Sequence, residues 1–568
     1  MKIKSLMIKN YRGLDIEIDH IESISTIIGQ NDSGKSNICE AILKVLDFEK
    51  RKQVFLETDS TMGNKEPIEI RIKLLLDDLT VDQYAVIREY IHKDEKENKY
   101  VVVRLFSEYN SEILEYEDSL YLGDPDIDEI EIQAYRQNPL DKILSVIYIN
   151  PSYNKEREEK QFFLYKEEDN KEQQKVFSNK IEYRLEELKQ DIQSESNIIE
   201  MQEEINEYGK FEDLLDKIKF EVVPNIRLNN IYKSLEILTL DGEGRELNNI
   251  GDGKNKIFSM LLKSKIYSNE KKKIYLVEEP ENHLYVLLQK YYIEALKSLN
   301  PDQLIITTHS PYIVDFEKTN QIIKLDYNVK DNTRRILKYN INNDEFKKLG
   351  YLINSEVEEM LYYNNVLLVE GESEKYFYNL LLIKDINFHK YIFENRFGIF
   401  AVNGIAFEMI KKLLEALGVN VFIKTDNDIF KVQNTEETYR YAGLERCIKY
   451  LNEQSKEKIK QLLGWDNLNK ERFRFDGENA KIKIIEEKIS DIANIMRENN
   501  ILISIHNDGF EKDFLDYIEY PQDKYKEAFE YLKKAKLKNL HEFICENDID
   551  ISINDNNKNS ILLGFMNE

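Results

Sequence analysis

Cysteine is scarce in this 568-residue chain: Cys39, Cys447 and Cys545 lie far apart, and no C-x-x-C occurs. That spacing argues against a disulfide framework and a zinc ribbon, and it points to a reduced, cytoplasmic compartment. Long apolar runs are missing as well. Nothing approaches the roughly 18 uninterrupted apolar residues of a membrane span, so no membrane partner is expected. The opening Met1-Lys2-Ile3-Lys4-Ser5-Leu6 runs straight into a strand pattern without the features of a signal peptide. Positive charge is outweighed, with 80 basic against 106 acidic residues and a net charge of −26. This argues against indiscriminate nucleic-acid binding but leaves room for a local basic channel. No long heptad array is present, which excludes an extended coiled-coil protein, and no internal repeat is visible.

What is present is 42% hydrophobic and 33% charged residues, the balance of a protein with real cores and highly charged surfaces. The length suits several domains at about 100–200 residues each. Over residues 1–151, strand-like and helix-like patterns alternate, with strands expected at Lys2–Ile8, Ile16–Ile18, Ile68–Leu76, Tyr100–Phe106 and Ser145–Ile149. Residues 152–218 are dense in charge and space Ile181, Leu185, Leu188 and Ile192 at near-helical intervals. They predict a helical insertion, either a solvated surface or a dimerisation arm. The α/β pattern returns over 219–345, and 346–568 read as a separate α/β unit.

Two stretches carry chemistry. Ile24–Ile28 reads as a strand and Asn37–Phe48 as an amphipathic helix, and the residues from Gly29 to Ser36 between them fit G-x-x-x-x-G-K-[ST] in the context that a P-loop requires. The loop from Gly29 through Asn31 and Gly34 to Asn37 would cradle phosphates at a helix N-terminus. Lys35 would reach the outer phosphates, and Ser36 would hold Mg²⁺. Downstream, the apolar strand Ile274–Val277 ends in Glu278 and Glu279, and the strand Leu304–Thr307 leads to His309, placed to sense a γ-phosphate. Gly251-Asp252-Gly253 is a Gly-rich turn before a helix, a further anion site. Taken singly, a strand-end histidine is more often structural and a Glu-Glu pair is usually a solvated face.

The other stretch is acidic. Val366–Val369 ends in Glu370, and Gly371 follows as a tight turn. Glu374 then falls one helical turn from Glu370, so both can face one ion. Val421–Thr425 ends in Asp426-Asn427-Asp428, whose acids point to one side of an extended segment. Asn403-Gly404 supplies a turn between these motifs. Carboxylates at the ends of buried strands cannot stay dry and unpaired. A divalent metal with oxygen ligands resolves the problem, and such a metal beside a phosphodiester means strand cleavage or phosphoryl transfer. Solvated loop acids are the plain alternative.

In the order P-loop, Gly-rich turn, acidic strand and His strand, the first set resembles an ABC-type ATPase head. E-G-x-x-E, then G, then D-x-D resembles a Toprim domain. In series they resemble the OLD (overcoming lysogenisation defect) family of endonucleases, and the length, insertion and C-terminal segment resemble the nuclease subunit of the Gabija anti-phage system. The implied architecture is an α/β ABC head in two halves (1–151 and 219–345) around the insertion, followed by a Toprim domain (346–568). The resemblance implies that Gly251 and Gly253 bind the ATP of a partner head, hence a homodimer or homotetramer. It implies that Glu278 orients Mg²⁺ through water and that Glu279 polarises the attacking water. The family's usual Asp is Glu278 here, and the signature turn lacks its Ser, which points to slow hydrolysis and to ATP as a regulator. In the Toprim domain the resemblance assigns Glu370, Glu374, Asp426, Asp428 and Asp508 to one or two Mg²⁺ or Mn²⁺, with Glu511 as helper. Lys536, with Lys534 close behind, would stabilise charge on the phosphate. Double-stranded DNA as substrate, a UvrD-like helicase partner and a nuclease restrained by ATP complete the implied picture. Rival readings are another OLD-type defence nuclease such as a retron effector, a non-catalytic SMC-like DNA-bridging ATPase, a topoisomerase and a primase. The missing coiled coil, the lack of room for a strand-gate domain and the absent zinc cysteines weigh against the last three in turn.

Overall fold

The computed structural model describes residues 1–149, 271–282, 284–314, 320–328, 333–340, 355–402, 406–432, 438–468, 473–476, 480–506 and 509–566, together with the backbone of two strands between 219 and 240. The expected insertion at 152–218, the turn Gly251–Gly253, Asn403-Gly404 and Asp508 lie outside the described residues. The chain forms two compact units, Met1–Ile336 and Leu337–Glu568.

The strands of the first unit are β1 (Lys2–Tyr11), β2 (Leu14–Ile18), β3 (Ile24–Gly29), β4 (Ile68–Leu75), β5 (His92–Lys93), β6 (Lys99–Asn110), β7 (Glu115–Asp124), β8 (Asp128–Ile132), β9 (Leu144–Ile149), β10 (Lys219–Pro224), β11 (Leu235–Leu240), β12 (Lys272–Glu278), β13 (Gln303–Thr308), β14 (Gln321–Asn328) and β15 (Thr333–Asn340), the last running across the division. Two sheets among the described residues follow two sequence patterns. In β4, Ile68, Ile70, Ile72 and Leu74 are buried and alternate with half-buried residues, the period of a strand with one face covered. Such strands build an antiparallel sheet in the order β2-β1-β4-β6-β7-β8, with β5 on β6. By contrast β3, β9, β12 and β13 are buried nearly throughout. With β14 they pair in parallel in the order β14-β3-β13-β12-β9, as strands covered on both faces do, and β15 lies beside β14 at the sheet edge. The helix Lys35–Leu46 follows β3 and buries Ile38, Ile42 and Val45 in one core shared with both sheets.

In the second unit β16 (Asn365–Val369), β17 (Phe397–Ala401) and β18 (Asn420–Thr425) precede a small antiparallel sheet of β19 (Ile429–Lys431), β20 (Thr438–Tyr441) and β21 (Arg474–Asp476). With β22 (Ile501–Ile503), a parallel sheet is completed in the order β17-β16-β18-β22. Alternation splits β22 between two cores. Ile501 and Ile503 pack with Ile485, Ile492 and Met496, whereas Leu502 packs with Phe377, Phe514 and Phe543. In such a sheet, covered on both faces, a site is expected at the carboxyl ends of the strands. The α/β class and the order of head and second domain agree with the sequence reading. Between β12 and β13 the helix begins only at Val286, and the Glu281 side chain before it holds the end of the neighbouring strand β13. Among the described residues no helix is long and apolar enough to cross a membrane.

Candidate nucleotide and metal sites

The P-loop turns sharply between β3 and its helix. A Cβ at Gly29 would lie 2.6 Å from the Leu325 carbonyl oxygen, and Gly34 has φ +105 with Leu14 Cδ2 2.7 Å from its would-be Cβ. Only glycine fits both places. Lys35 is buried and donates to the Gly29 and Gln30 carbonyls at 3.1 and 2.9 Å. Burial pushes its pKa down to about 8, against the pull of Glu279, Glu281, Glu278 and Asp32. A buried ammonium resting on carbonyls is a cation suited to a phosphate. Asn31, Gly34, Lys35, Ser36, Asn37, Glu279 and His309 all line one cavity of about 660 Å³.

Opposite the loop, Glu279 lies 3.3 Å from His309 Nε2 and accepts from Asn282 at 2.8 Å. Burial and then Lys35 hold the His309 pKa below its usual value, and Glu279 opposes them. Glu281 accepts from the His309 backbone N–H at 2.6 Å and the Thr308 hydroxyl at 2.8 Å, which fixes the end of β13. Glu278 is placed differently: it is buried, takes the Tyr148 hydroxyl and does not line the cavity. Arg334 of β15 was not visible in the sequence. It donates to the Ser33 carbonyl at 2.9 Å and to the Gly13 carbonyl, clamping the P-loop from outside.

In the second unit, β16 and β18 deliver their acids side by side. Glu370 Oε1 accepts from the Asp426 backbone N–H at 3.1 Å, from the Thr425 hydroxyl and from Arg446. Glu374 falls in the first turn of the helix Glu372–Lys384 and is buried. Burial, and then the Asp426 carboxylate, push its pKa up to about 8. The same two causes push Asp428 up to about 6. Asp426 Oδ1 is buried without a hydrogen-bond partner; its nearest cation is Lys424 Nζ at 3.8 Å. Glu511 is buried and lies 3.4 Å from Lys536 Nζ. Burial works against the charge of Lys536, but Glu511, Asp426 and Glu374 outweigh it and raise its pKa. Lys534 closes the preceding helix, and Lys536 opens the next one.

The structure thus brings Glu370, Glu374, Asp426, Asp428, Glu511 and Lys536 to one end of the parallel sheet. The donor set fits a hard divalent cation: all ligand atoms are oxygens, two of them (Asp426 Oδ1 and Glu511 Oε1) are buried without a hydrogen-bond partner, and burial and then mutual repulsion raise the pKa of two acids. Among the described residues no three of these side chains are yet spaced around one ion, and Glu370 is engaged by Arg446 instead. Sequence reasoning missed the scaffold behind the acids. Lys424 is fully buried and paired with Asp513 at 2.8 Å, which Ser504 also holds at 2.9 Å. A lysine inside the apolar run of β18 was the available signal. Gly443 presses on the acidic loop, its would-be Cβ 2.1 Å from the Asp426 carbonyl oxygen, and Gly509 at φ +80 lies against both aspartates.

The comparisons with known proteins follow this division. A model described as an AAA ATPase domain matches residues 1–314, and one described as an overcoming lysogenization defect protein-like TOPRIM domain matches residues 361–428. The chain is 25% identical to Endonuclease GajA of Bacillus cereus (strain VD045), over 96% of this chain and 95% of that protein. Among solved structures it is similar to an SMC head bound to the C-winged helix domain of ScpA (16% identity, TM-score 0.38, covering 61% of this chain and 99% of that one). It is also similar to the SMC head domain from Thermotoga maritima (14% identity, TM-score 0.31, covering 60% and 100%). The chain belongs to the AAA ATPase domain family, and behind that domain it carries an OLD-like TOPRIM domain.

Proposed function

We propose that the protein is a metal-dependent DNA endonuclease, nicking or cleaving, whose activity is governed by ATP bound at the P-loop, and that it serves anti-phage defence. The observation that carries this reading is the convergence of Glu370, Glu374, Asp426, Asp428 and Glu511 beside Lys536, with two buried carboxylate oxygens left without a hydrogen bond. This chain, with its ATPase and TOPRIM matches, is similar along nearly its whole length to a relative named as an endonuclease.

In this reading Glu370, Glu374, Asp426 and Asp428, with Asp508 and Glu511, hold one or two Mg²⁺ or Mn²⁺. Metal bound there supplies an activated water and stabilises the leaving oxygen. The acids' own task is to exclude other cations and fix the ions, since Glu374, in a first helical turn, and Asp426, at a strand end, are both buried. Lys536 faces the phosphate and offsets its growing charge. In the head, Lys35 and the loop Gly29–Asn37 bind the triphosphate, Ser36 holds its Mg²⁺, Glu279 and His309 face the γ-phosphate, and Glu278 orients the metal from behind through water. Gly251 and Gly253 meet the nucleotide of another copy, so the working form is a homodimer or homotetramer around the 152–218 arm. Double-stranded DNA is the substrate, a UvrD-like helicase is the partner, and the compartment is the cytoplasm.

The test is supercoiled plasmid incubated with Mg²⁺ or Mn²⁺, with and without ATP, beside Glu370→Ala. Relaxation by the wild-type protein alone, slowed by ATP, is expected. A nicking rate indifferent to ATP would sink the regulatory half. Absence of nicking under every condition, helicase included, would leave the DNA-bridging ATPase.

A further inference from the structure

Directly after Asp428 the chain enters the small antiparallel sheet β19-β20-β21, a part of the molecule that neither the nucleotide site nor the acidic cluster uses. Its register places Phe430 opposite Arg440, and Arg440 opposite Arg474. Residues directly opposite in an antiparallel ladder share a face. The other face is accounted for, since Ile429, Tyr439, Tyr441 and Phe475 pack into the core. The row Phe430, Arg440, Arg474 therefore lies on the outer face, and all three are open to solvent, at 50%, 41% and 35% exposure.

Both arginines are anchored by one buried acid. Glu445 lies 3.1 Å from Arg474 Nη2 and 3.6 Å from Arg440 Nη1, while the Nε of each arginine has no hydrogen-bond partner. One carboxylate shared between two guanidinium groups fixes both arginines in place, in a chain of net charge −26. Glu445 belongs to the short helix Ala442–Cys447, which also supplies Gly443 against the Asp426 carbonyl, Arg446 to Glu370, and the Ala442 N–H to the Asp428 carbonyl at 3.0 Å. The arginine row and the carboxylates are thus built on the same six residues.

We propose that this face is the track for the DNA strand next to the scissile bond: Arg440 and Arg474 hold successive phosphates, and Phe430 offers its ring to a base. Planar guanidinium forks suit phosphate oxygens, and an exposed aromatic beside them is the usual platform for an unpaired base. The proposal rests on the nuclease reading and names how its substrate is held.

The experiment is fluorescence anisotropy of a labelled 30-base-pair duplex with the full-length protein in the Glu370→Gln background, over a range of salt, beside plasmid nicking in the unaltered background. Arg440→Gln/Arg474→Gln should weaken binding about tenfold or more, and should lower the slope of log affinity against log salt by about 2, close to one unit for each phosphate no longer neutralised. A purely structural role of the pair would leave that slope unchanged. Phe430→Glu, at an exposed position that no core depends on, guards against misfolding of the double variant and should weaken binding several-fold. Wild-type affinity and salt slope in both variants would overturn the proposal while leaving nicking intact. Failure of the unaltered protein to nick would instead strike the nuclease reading itself.

Discussion

In the first unit a cation waits on neutral carbonyls: Lys35 rests on the Gly29 and Gln30 carbonyls, and burial lowers its pKa to about 8 despite the acids around it. In the second unit the imbalance has the opposite sign. Acids gather at the ends of β16 and β18, and Glu374 and Asp428 are held at pKa values of about 8 and 6 by burial and by Asp426. Each unit is preorganised for a partner of opposite charge, an anion in one and a cation in the other. Both keep a protein group in the meantime, loop carbonyls for Lys35 and Arg446 for Glu370. The difference teaches where each unit is sensitive: the head to loss of a single positive charge, the second unit to any change in the number of negative ones.

The largest effect should come from that number. Asp426→Asn keeps shape but removes the charge that dominates its neighbours, and plasmid nicking should fall on the order of 10³-fold while ATP binding stays intact. Nicking within about tenfold of wild type would mean that Asp426 is scaffold. Next is Lys35→Ala, for which fluorescent-nucleotide titration should show affinity lower by about 100-fold, the scale of removing one charge-assisted hydrogen bond to phosphate from a buried site. Nicking should persist and no longer respond to ATP. Third is Arg446→Met. If Arg446 stands in for a metal at Glu370, calorimetric titration should show Mn²⁺ binding about tenfold more tightly, equivalent to removing ~1.4 kcal/mol of competition, and Arg446→Lys should restore the wild-type value. Weaker Mn²⁺ binding would show instead that Arg446 holds Glu370 in the shape the ion needs.

These groups were unequally legible in the sequence. The P-loop and the two acidic strand ends could be read because each is contiguous: strand, turn and chemistry lie within about ten residues, and hydrophobic pattern alone marks the strand. The counter-charges were not legible, because they arrive from far along the chain. Arg334 reaches Ser33, Arg446 reaches Glu370 and Asp513 reaches Lys424 only through tertiary structure. Strands of three or four residues, as in β19, β20 and β21, carry too few alternations to stand out, so the face bearing Arg440 and Arg474 was invisible until its register was known.

The smallest expected effect isolates one carboxylate. Glu374 ionises near pH 8 in the fold and within the usual carboxylate range when unfolded. The folded state therefore binds this proton more tightly, and linkage requires that its contribution to stability be complete at acid pH and decline as pH rises towards and through 8. Without metal, the melting temperature of the wild-type protein should fall by roughly 5 °C between pH 5.5 and 8.5, in proportion to a cost of about 2 kcal/mol in a domain of this size. Glu374→Gln should show a shallower fall, because the amide cannot ionise. Saturating Mn²⁺ should remove most of the difference between the two proteins at pH 8.5, since a bound cation replaces the proton as the partner of the carboxylate. Parallel pH profiles for wild type and variant, with and without Mn²⁺, would place Glu374 outside the charged cluster and reduce the contrast between the two units to Asp426 and Asp428.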